Sequence, residues 1–142
     1  MRGEDAVARS LIAAQEAAGA RILGPPELGS PVAPSEMSPP GGCFVTLWLD
    51  GEAVAGGGVR RLDGGVDLGE VKRMYVVPEV RGRGLGRRLL EEIEAAAREL
   101  GYRRLRLDTS GTVRRLYEGA GYAPIPDYNG NGRATFWGEK AL

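Results

Sequence analysis

The sequence contains no histidine and only one cysteine, Cys43, in 142 residues. Without histidine the chain has no Ser-His or Cys-His nucleophile pair and no histidine metal ligand. A single cysteine cannot form a disulfide within the chain. Acid-base chemistry must therefore use carboxylates, tyrosine, lysine, the cysteine or water, and we expect no metal site.

Long apolar stretches are also missing. No apolar run approaches the roughly 18 residues that a membrane-spanning helix requires, and the first ten residues, MRGEDAVARS, lack the apolar segment of a signal peptide. Apolar residues make up 42% of the chain and charged residues 27%, which is ordinary for a globular protein. We therefore expect one cytoplasmic domain over residues 1–142, with no membrane partner.

The net charge is zero, but the charges are unevenly distributed. Twelve of the 19 basic residues and only 6 of the 19 acidic residues lie between Lys72 and Arg115, so this segment carries about +6. Most of the basic residues are arginine, whose planar guanidinium suits phosphate contacts. A nucleic-acid-binding protein would show a similar patch. The chain lacks the interleaved aromatics and the helix-turn-helix or zinc-finger patterns of such proteins, and we expect no nucleic-acid partner.

The most informative segment is Val71–Leu90, VKRMYVVPEVRGRGLGRRLL, in which a strand-like run ends at Pro78 and an amphipathic helical pattern follows. Glycines in the intervening turn let the backbone approach a ligand, and the first amides of a helix have no partner within it. Those amides lie at the positive end of the helix dipole and bind anions. The segment therefore predicts a phosphate cradle. Its glycines and arginines are Arg81, Gly82, Arg83, Gly84, Gly86, Arg87 and Arg88.

Two common glycine motifs do not fit this turn. A Walker loop requires a Lys-Ser or Lys-Thr pair, which the chain lacks, and the dinucleotide motif G-x-G-x-x-G lacks its last glycine here. The pattern that fits is [Q/R]-x-x-G-x-[G/A], with Arg81, Gly84 and Gly86. In this motif the chain resembles the GNAT superfamily of N-acetyltransferases.

The resemblance implies a fold and a co-substrate. The fold would be a single-domain GNAT-like α/β fold, a mixed central β-sheet flanked by helices, with a strand–glycine-loop–helix–strand cofactor unit. The co-substrate would be acetyl-coenzyme A, with its pyrophosphate held by Arg81, Gly82, Arg83, Gly84, Leu85, Gly86 and Arg87. In the family the strand before the cradle separates from its neighbour, so the backbone of Met74, Tyr75 and Val76 would pair with the pantetheine arm and stabilise the oxyanion.

A second stretch, TVRRLYEGAGY from Thr112 to Tyr122, resembles the family pattern A-x-x-L-Y-x-x-x-G-[FY]. The resemblance implies that Tyr117 protonates the leaving thiolate; the alternative is a purely interior aromatic. Ser110 stands where many relatives have an asparagine that contacts pantetheine, so this contact is expected to be weakened.

Glu70 precedes Arg81 by eleven residues, the spacing at which some histone-type members carry their catalytic glutamate. We expect it to act as general base. It would otherwise pair with Lys72 or Arg73, or cap the strand. Asp108, at the end of the next strand, is the competing carboxylate.

Periodicity and turn residues indicate one α/β domain. Asp50-Gly51 is a strong hairpin signal, and the glycines 56–58 weaken the second strand or mark a bulge. The strands on either side of the glycine-turn helix should be parallel. The predicted elements are a helix over Asp5–Ala20, a proline-rich loop over Gly24–Gly42, strands over Cys43–Leu49, Ala53–Leu62 and Val66–Val77, a helix over Gly84–Leu100, a strand over Arg103–Thr109, a helix over Thr112–Gly119 and a strand over Arg133–Lys140.

Three functions remain open. The leading one is N-acetyl transfer from acetyl-coenzyme A to a small-molecule or peptide amine, directly within a ternary complex. The others are a non-catalytic coenzyme A-binding module and a nucleic-acid-binding protein. The resemblance places the acceptor between the Gly24–Gly42 and Ala123–Gly132 loops, both expected to be flexible, where Glu36, Trp48, Asp127 and Tyr128 are candidate contacts. The oligomeric state is open, a homodimer included.

Overall fold

The computed structural model of the chain describes residues 34–62, 67–110 and 113–142. The predicted helix over Asp5–Ala20 and the turn at residues 63–65 lie outside them. The elements, in chain order, are a 3₁₀ turn η1 (Pro34–Met37), β1 (Cys43–Leu49), β2 (Glu52–Arg61), β3 (Leu68–Val76), a 3₁₀ turn η2 (Pro78–Val80), α1 (Leu85–Glu99), β4 (Arg104–Thr109), α2 (Arg114–Gly119), β5 (Ala123–Pro124) and β6 (Phe136–Ala141). No helix within these ranges is long and apolar enough to cross a membrane.

The six strands form one mixed sheet in the order β1-β2-β3-β4-β6-β5. β1 and β2 form the predicted hairpin, whose turn residues Asp50 and Gly51 both have positive φ. β3 is antiparallel to β2 and parallel to β4, and α1 connects the two parallel strands. The predicted α/β class and the parallel strand–helix–strand unit are therefore confirmed.

Helix α1 covers one face of the sheet with the apolar positions that its periodicity predicts. Leu89, Leu90, Ile93 and Ala97 are buried, with an exposed fraction of at most 1%. Each fully buried leucine or isoleucine stabilises the fold by about 1.5–3 kcal/mol. Their partners are the inward side chains of the sheet, of α2 and of the segment after α2: Ala55, Val59, Val71, Leu105, Leu107, Tyr117, Tyr122 and Phe136.

The opposite face of the sheet is polar where β2, β3 and β4 adjoin. Because side chains alternate along a strand, the residues between the buried Leu105 and Leu107 of β4, and those flanking Val71 of β3, point away from α1. Arg60, Glu70, Lys72, Arg106 and Asp108 lie on this face. Glu70 is fully buried and Lys72 is 7% exposed, so charge is enclosed here rather than solvated.

A β-bulge interrupts the pairing of β2 with β3 next to this polar face. Gly56 pairs with Tyr75 and Gly58 with Lys72, so two residues, Arg73 and Met74, oppose the single Gly57. Arg73 adopts a left-handed φ of 60°, which is unfavourable for a residue other than glycine. A Cβ on Gly57 would lie 2.9 Å from both Met74 Cγ and Ile93 Cδ1, so glycine is required for the close approach.

Several predicted boundaries were wrong. β2 begins at Glu52 and ends at Arg61, β3 covers Leu68–Val76, and α1 begins at Leu85 because Gly84 is its left-handed N-cap. β6 begins at Phe136 rather than at the predicted residue 133. The predicted starts of β3 at Val66 and of α2 at Thr112, and residues 24–33 of the predicted loop, lie outside the described residues. The two-residue β5 was not predicted, since two residues carry no periodicity.

We predict that Gly57→Ala lowers the free energy of unfolding by about 1–3 kcal/mol, because the methyl group cannot be accommodated between Ile93 and Met74 without moving the bulge. Thermal unfolding followed by circular dichroism should show a melting temperature several degrees lower. Gly119→Ala is the matched control, because a Cβ there meets nothing within 4 Å. Equal melting temperatures for the two variants would contradict the packing described here.

Candidate active site

Strands β3 and β4 separate shortly after they begin. They pair only at Leu68–Arg104, Gly69–Leu105 and Glu70–Arg106. Beyond Glu70, β3 continues to Val76 beside β2 alone, while β4 continues to Thr109 beside β6. The backbone of Met74, Tyr75 and Val76 therefore has no strand on its β4 side within the described part of the chain, and a slot opens there.

The glycine turn lies at the end of this slot, directly before α1. Gly82 and Gly84 have φ values of 82° and 78°, which place them in the left-handed region, and a Cβ on either would meet nothing within 4 Å. The turn thus presents open backbone at the positive end of a 15-residue helix. These features fit a pyrophosphate group, as the motif predicts.

The arginines of the turn have different surroundings. Arg81 donates from Nε to the carbonyl of Val76 at 2.7 Å, and its guanidinium lies 5.1 Å from the centre of the Tyr75 ring. It therefore ties the turn back to the end of β3. Arg83 and Arg87 are exposed at the mouth of the turn, with Arg87 3.6 Å from Glu91 on the next helical turn. Leu85 and Gly86 form the first turn of α1.

Tyr117 of α2 faces the slot from the other side. Its side chain is buried, and its hydroxyl lies 3.5 Å from Met74 Sδ on β3. Burial, and secondarily the charge of Asp108, raise the pKa of Tyr117 to about 12, so the hydroxyl keeps its proton at neutral pH. Ser110 follows the last residue of β4 and is half-buried where the two strands are apart. The structure thus places Tyr117, Met74 and the cradle around one slot.

The Tyr117 ring is held by a buried polar group behind it. It packs edge-on against Tyr122, with ring centres 6.1 Å apart. The Tyr122 hydroxyl donates to Glu94 at 2.9 Å, and Lys140 Nζ bonds both oxygens of the same carboxylate at 3.0 and 3.1 Å. Burial and the Glu94 charge raise the pKa of Tyr122. The network is charge-compensated and orients the ring that carries the candidate acid.

Both oxygens of the Glu70 carboxylate are bound by neighbouring side chains. Arg60 binds Oε1 through Nε at 2.9 Å and Nη2 at 2.8 Å, while the Tyr128 hydroxyl donates to Oε2 at 2.6 Å. Lys72 Nζ lies 3.6 Å from Oε2. Of the two predicted pairing partners, the structure therefore shows Lys72, and it adds Arg60 and Tyr128. Burial, and then the Glu70 charge, raise the pKa of Tyr128, so that hydroxyl stays protonated.

Asp108 holds the loop that connects β5 to β6. Its Oδ2 accepts from the side-chain amides of Asn129 and Asn131, and Lys72 lies 3.5 Å from its Oδ1. Asn129 in turn accepts from Trp137 Nε1 at 3.0 Å. Asp127 Oδ1 accepts from the backbone amides of residues 129 and 130. The Ala123–Gly132 loop was predicted to be flexible, but side-chain hydrogen bonds fix its path over the polar face.

A cavity of about 350 Å³ lies on this face. Its described lining is largely polar, and three of the six residues are arginines: Glu36, Arg60, Arg61, Leu62, Arg106 and Tyr128. Glu70 does not line the cavity, but Arg60 and Tyr128 connect the cavity to its carboxylate. The cavity, Glu70 and the slot are therefore neighbouring parts of one region.

The sequence of this chain matches the model of a known protein family. The model of the acetyltransferase (GNAT) family matches residues 14–122, more than three quarters of the chain. The chain belongs to the GNAT family. This confirms the resemblance predicted from the Arg81–Gly86 motif.

Among curated proteins, the chain is 37% identical over 95 residues to the uncharacterized N-acetyltransferase YjgM of Escherichia coli, covering 64% of this chain and 56% of YjgM. It is 45% identical over 73 residues to an IAA acetyltransferase of Azospirillum brasilense, covering 49% of this chain and 48% of that protein. The chain thus spans about half the length of the curated relatives it matches.

Solved structures share the fold over most or all of this chain. A Klebsiella pneumoniae protein assigned as an acyl-CoA N-acyltransferase is 28% identical, with a TM-score of 0.72 over 100% of this chain and 94% of that chain. PaiA N-acetyltransferase of Thermoplasma acidophilum, solved in complex with coenzyme A, shares the fold at 20% identity, with a TM-score of 0.60 over 72% of this chain and 62% of that one. The mixed six-stranded sheet is therefore a GNAT sheet.

Within this GNAT fold, sequence reasoning identified the slot and the cradle but only part of the polar face. Of the acceptor candidates, Glu36 and Tyr128 line the cavity, Asp127 shapes the loop, and Trp48 is 54% exposed at the end of β1. Arg60, Asn129 and Asn131 were missed. The repeated asparagines of DYNGN were the available signal, since such residues bond to nearby backbone and polar groups.

We predict that Gly86→Glu abolishes coenzyme A binding, with affinity falling by about 100-fold or more. The new carboxylate would compete for the anion site, yet it suits the first turn of α1 and would displace only Leu116 Cδ2, 3.3 Å from the added Cβ. Isothermal titration calorimetry measures the affinity, and a melting curve checks the fold. Gly132→Glu is the charge-matched control at an open position and should bind normally; undiminished binding by Gly86→Glu would refute the cradle.

Proposed function

We propose that the protein is an N-acetyltransferase that moves an acetyl group from acetyl-coenzyme A directly to an amine within a ternary complex. The observation that carries this proposal is the separation of β3 from β4 after Glu70, with the glycine turn at its end and the Tyr117 hydroxyl beside Met74. Direct transfer also suits the absence of histidine and the position of Cys43 on β1, two strands from the slot.

Bound acetyl-coenzyme A supplies the acetyl thioester. Its phosphates would be held by the open backbone of the turn and the first amides of α1, with Arg83 and Arg87 adding charge at the mouth. The backbone of Met74, Tyr75 and Val76, which has no strand on its β4 side in the described part of the chain, would bind its amide-containing arm, and one of these amides would stabilise the oxyanion. Ser110 directly follows the end of β4, on the other side of the slot from β3.

Glu70 acts in this proposal as the terminal proton acceptor. Because its carboxylate is buried and does not line the cavity, it reaches the acceptor through the Tyr128 hydroxyl, which does. The ammonium of the acceptor gives a proton to Tyr128 Oη as the Tyr128 proton passes to Glu70 Oε2. The nitrogen then has the lone pair that attack requires. Asp108 is occupied by Asn129, Asn131 and Lys72 and serves to position the loop.

Tyr117 donates to the departing sulfur. With a pKa of about 12 it is a weaker acid than a thiol, so its contribution is a hydrogen bond that strengthens as negative charge grows on sulfur. The same pKa keeps the hydroxyl protonated through mildly alkaline conditions. Activity should therefore not decline between pH 7 and 10 through ionisation of Tyr117.

Ion pairing weakens the nucleic-acid alternative. Arg88 pairs with Glu92 at 3.1 Å, Arg114 with Glu118 at 3.1 Å, and Arg106 with Glu139 at 2.9 Å. Much of the basic patch is thus compensated locally instead of forming one positive surface. A coenzyme A-binding module without catalysis would bind the cofactor but release no thiol with any amine.

We predict that Tyr117→Phe lowers kcat by about 100-fold while coenzyme A affinity and folding are retained, because the ring still packs on Tyr122. Thiol release with a colorimetric reagent measures turnover, and calorimetry measures affinity. Tyr102→Phe is the control, since that hydroxyl bonds the carbonyl of Gly41 away from the slot. Full activity of Tyr117→Phe would mean that water or another group, and not Tyr117, donates to the departing sulfur.

We also predict that Tyr128→Phe and Glu70→Gln lower turnover at acidic to neutral pH and approach the wild-type rate at high pH, where the amine deprotonates in solution. Glu70→Gln should also destabilise the fold, by about 3–5 kcal/mol, since it leaves Arg60 without its buried partner. Tyr128→Phe avoids that cost and tests the relay alone. A wild-type pH profile in Tyr128→Phe would show that the relay does not operate.

A further inference from the structure

The cavity on the polar face has more hydrogen-bond donors than acceptors. Three arginines line it, against one carboxylate, Glu36. Arg60 is satisfied by Glu36 and Glu70. Arg106 donates from Nε to Glu139 at 2.9 Å, and its guanidinium lies 5.4 Å from the centre of the Tyr128 ring. Within the described ranges, the terminal nitrogens of Arg106 donate no hydrogen bond to an acidic group, and the side chain of Arg61 forms no ion pair.

The carboxylates nearby are all engaged. Glu70 accepts from Arg60 and Tyr128, Glu139 from Arg104 and Arg106, and Asp108 from the loop asparagines. Among the residues that the structure describes around this cavity, no acidic group is left over for a second ammonium of the acceptor. A diamine or polyamine would therefore bring an unpaired positive charge next to Arg61 and Arg106.

We infer that the acceptor is a small amine that also carries an oxyanion, a carboxylate or a phosphate, bound by Arg106 and Arg61. This inference rests on the proposed acetyl transfer for the role of the amine. Guanidinium groups bind either oxyanion through paired N–H donors, and a cavity of about 350 Å³ suits a small molecule. With the anion at these arginines, the amine would lie toward Tyr128, whose hydroxyl leads to Glu70.

The experiment compares matched acceptors. A set of amino acids is assayed by thiol release against their carboxamides and their decarboxylated amines, with O-phosphoethanolamine against ethanolamine and with spermidine as a polyamine. The oxyanion-bearing member of a pair should have a kcat/KM about tenfold higher or more. Preference for the amino acids identifies a carboxylate, and preference for phosphoethanolamine identifies a phosphate. Equal rates within pairs, or preference for spermidine, would overturn the inference.

Variants then locate the anion. Arg61→Gln and Arg106→Gln should raise KM for the oxyanion-bearing acceptor about tenfold with little change in kcat, and should leave the neutral partner unaffected. Arg61→Lys, which keeps the charge, should recover part of the affinity. Arg98→Gln, an exposed position on α1 on the other face of the sheet, is the control. An unchanged ratio between the paired acceptors in both glutamine variants would refute the assigned contacts.

A binding measurement separates this inference from the proposed activity. Titration of the same paired amines into the full chain saturated with coenzyme A, followed by NMR chemical shifts, reports acceptor binding without turnover. Binding of the oxyanion-bearing members, weakened in Arg61→Gln, supports the site even if no amine releases thiol, in which case only the acetyl transfer fails. Thiol release without preference for oxyanion-bearing amines would support the proposed acetyl transfer and contradict the inferred class of acceptor.

Discussion

The separation of two parallel strands is the constraint on which this structure depends. A parallel ladder that stops after three residue pairs leaves no strand beside the later part of β3 on its β4 side within the described residues. Buried peptide groups require hydrogen-bond partners, so a ligand with peptide-like groups fits this slot. The bulge at Arg73 and Met74, made possible by Gly57, lies on the same stretch of β3 and turns its backbone. The same geometry of β3 therefore defines both the sheet and the proposed cofactor slot.

The second constraint is charge compensation on the face opposite α1. Glu70 and Lys72 are almost wholly buried, and isolated charges there would be very unfavourable. They persist because Arg60, Tyr128, Asp108 and the loop asparagines complete the network. This network ties together β2, β3, β4 and the β5–β6 loop. The β5–β6 loop, which carries proposed acceptor contacts, is therefore positioned by the same charged groups that surround the proposed base, Glu70.

The proposed roles follow from which groups the fold leaves accessible. Glu70 has the family spacing from the cradle, but the packing encloses its carboxylate and leaves the Tyr128 hydroxyl as its contact with the cavity. Asp108, the other candidate carboxylate, accepts hydrogen bonds from the asparagines of the β5–β6 loop. Arg106, on the same face, and Arg61, at the end of β2, both line the cavity and retain donors that their neighbours do not use. In the proposed mechanism, the cofactor is therefore bound through the backbone, whereas the acceptor is recognised by side chains.

The amino-acid sequence by itself determined the local features. Glycine spacing before an amphipathic helix, the Asp50-Gly51 hairpin and the alternation of β4 follow from near neighbours along the chain, so the cradle, the strands and the α1 core positions could be predicted. Only the tertiary structure decided which distant groups meet. Glu70 joins Tyr128 across 58 residues, and Asp108 joins Asn129 across 21. No periodicity encodes such pairs, because they depend on strand order and on the path of the loop. The glycine turn could therefore be predicted from the sequence, whereas the proposed acceptor side depends on the assembled sheet.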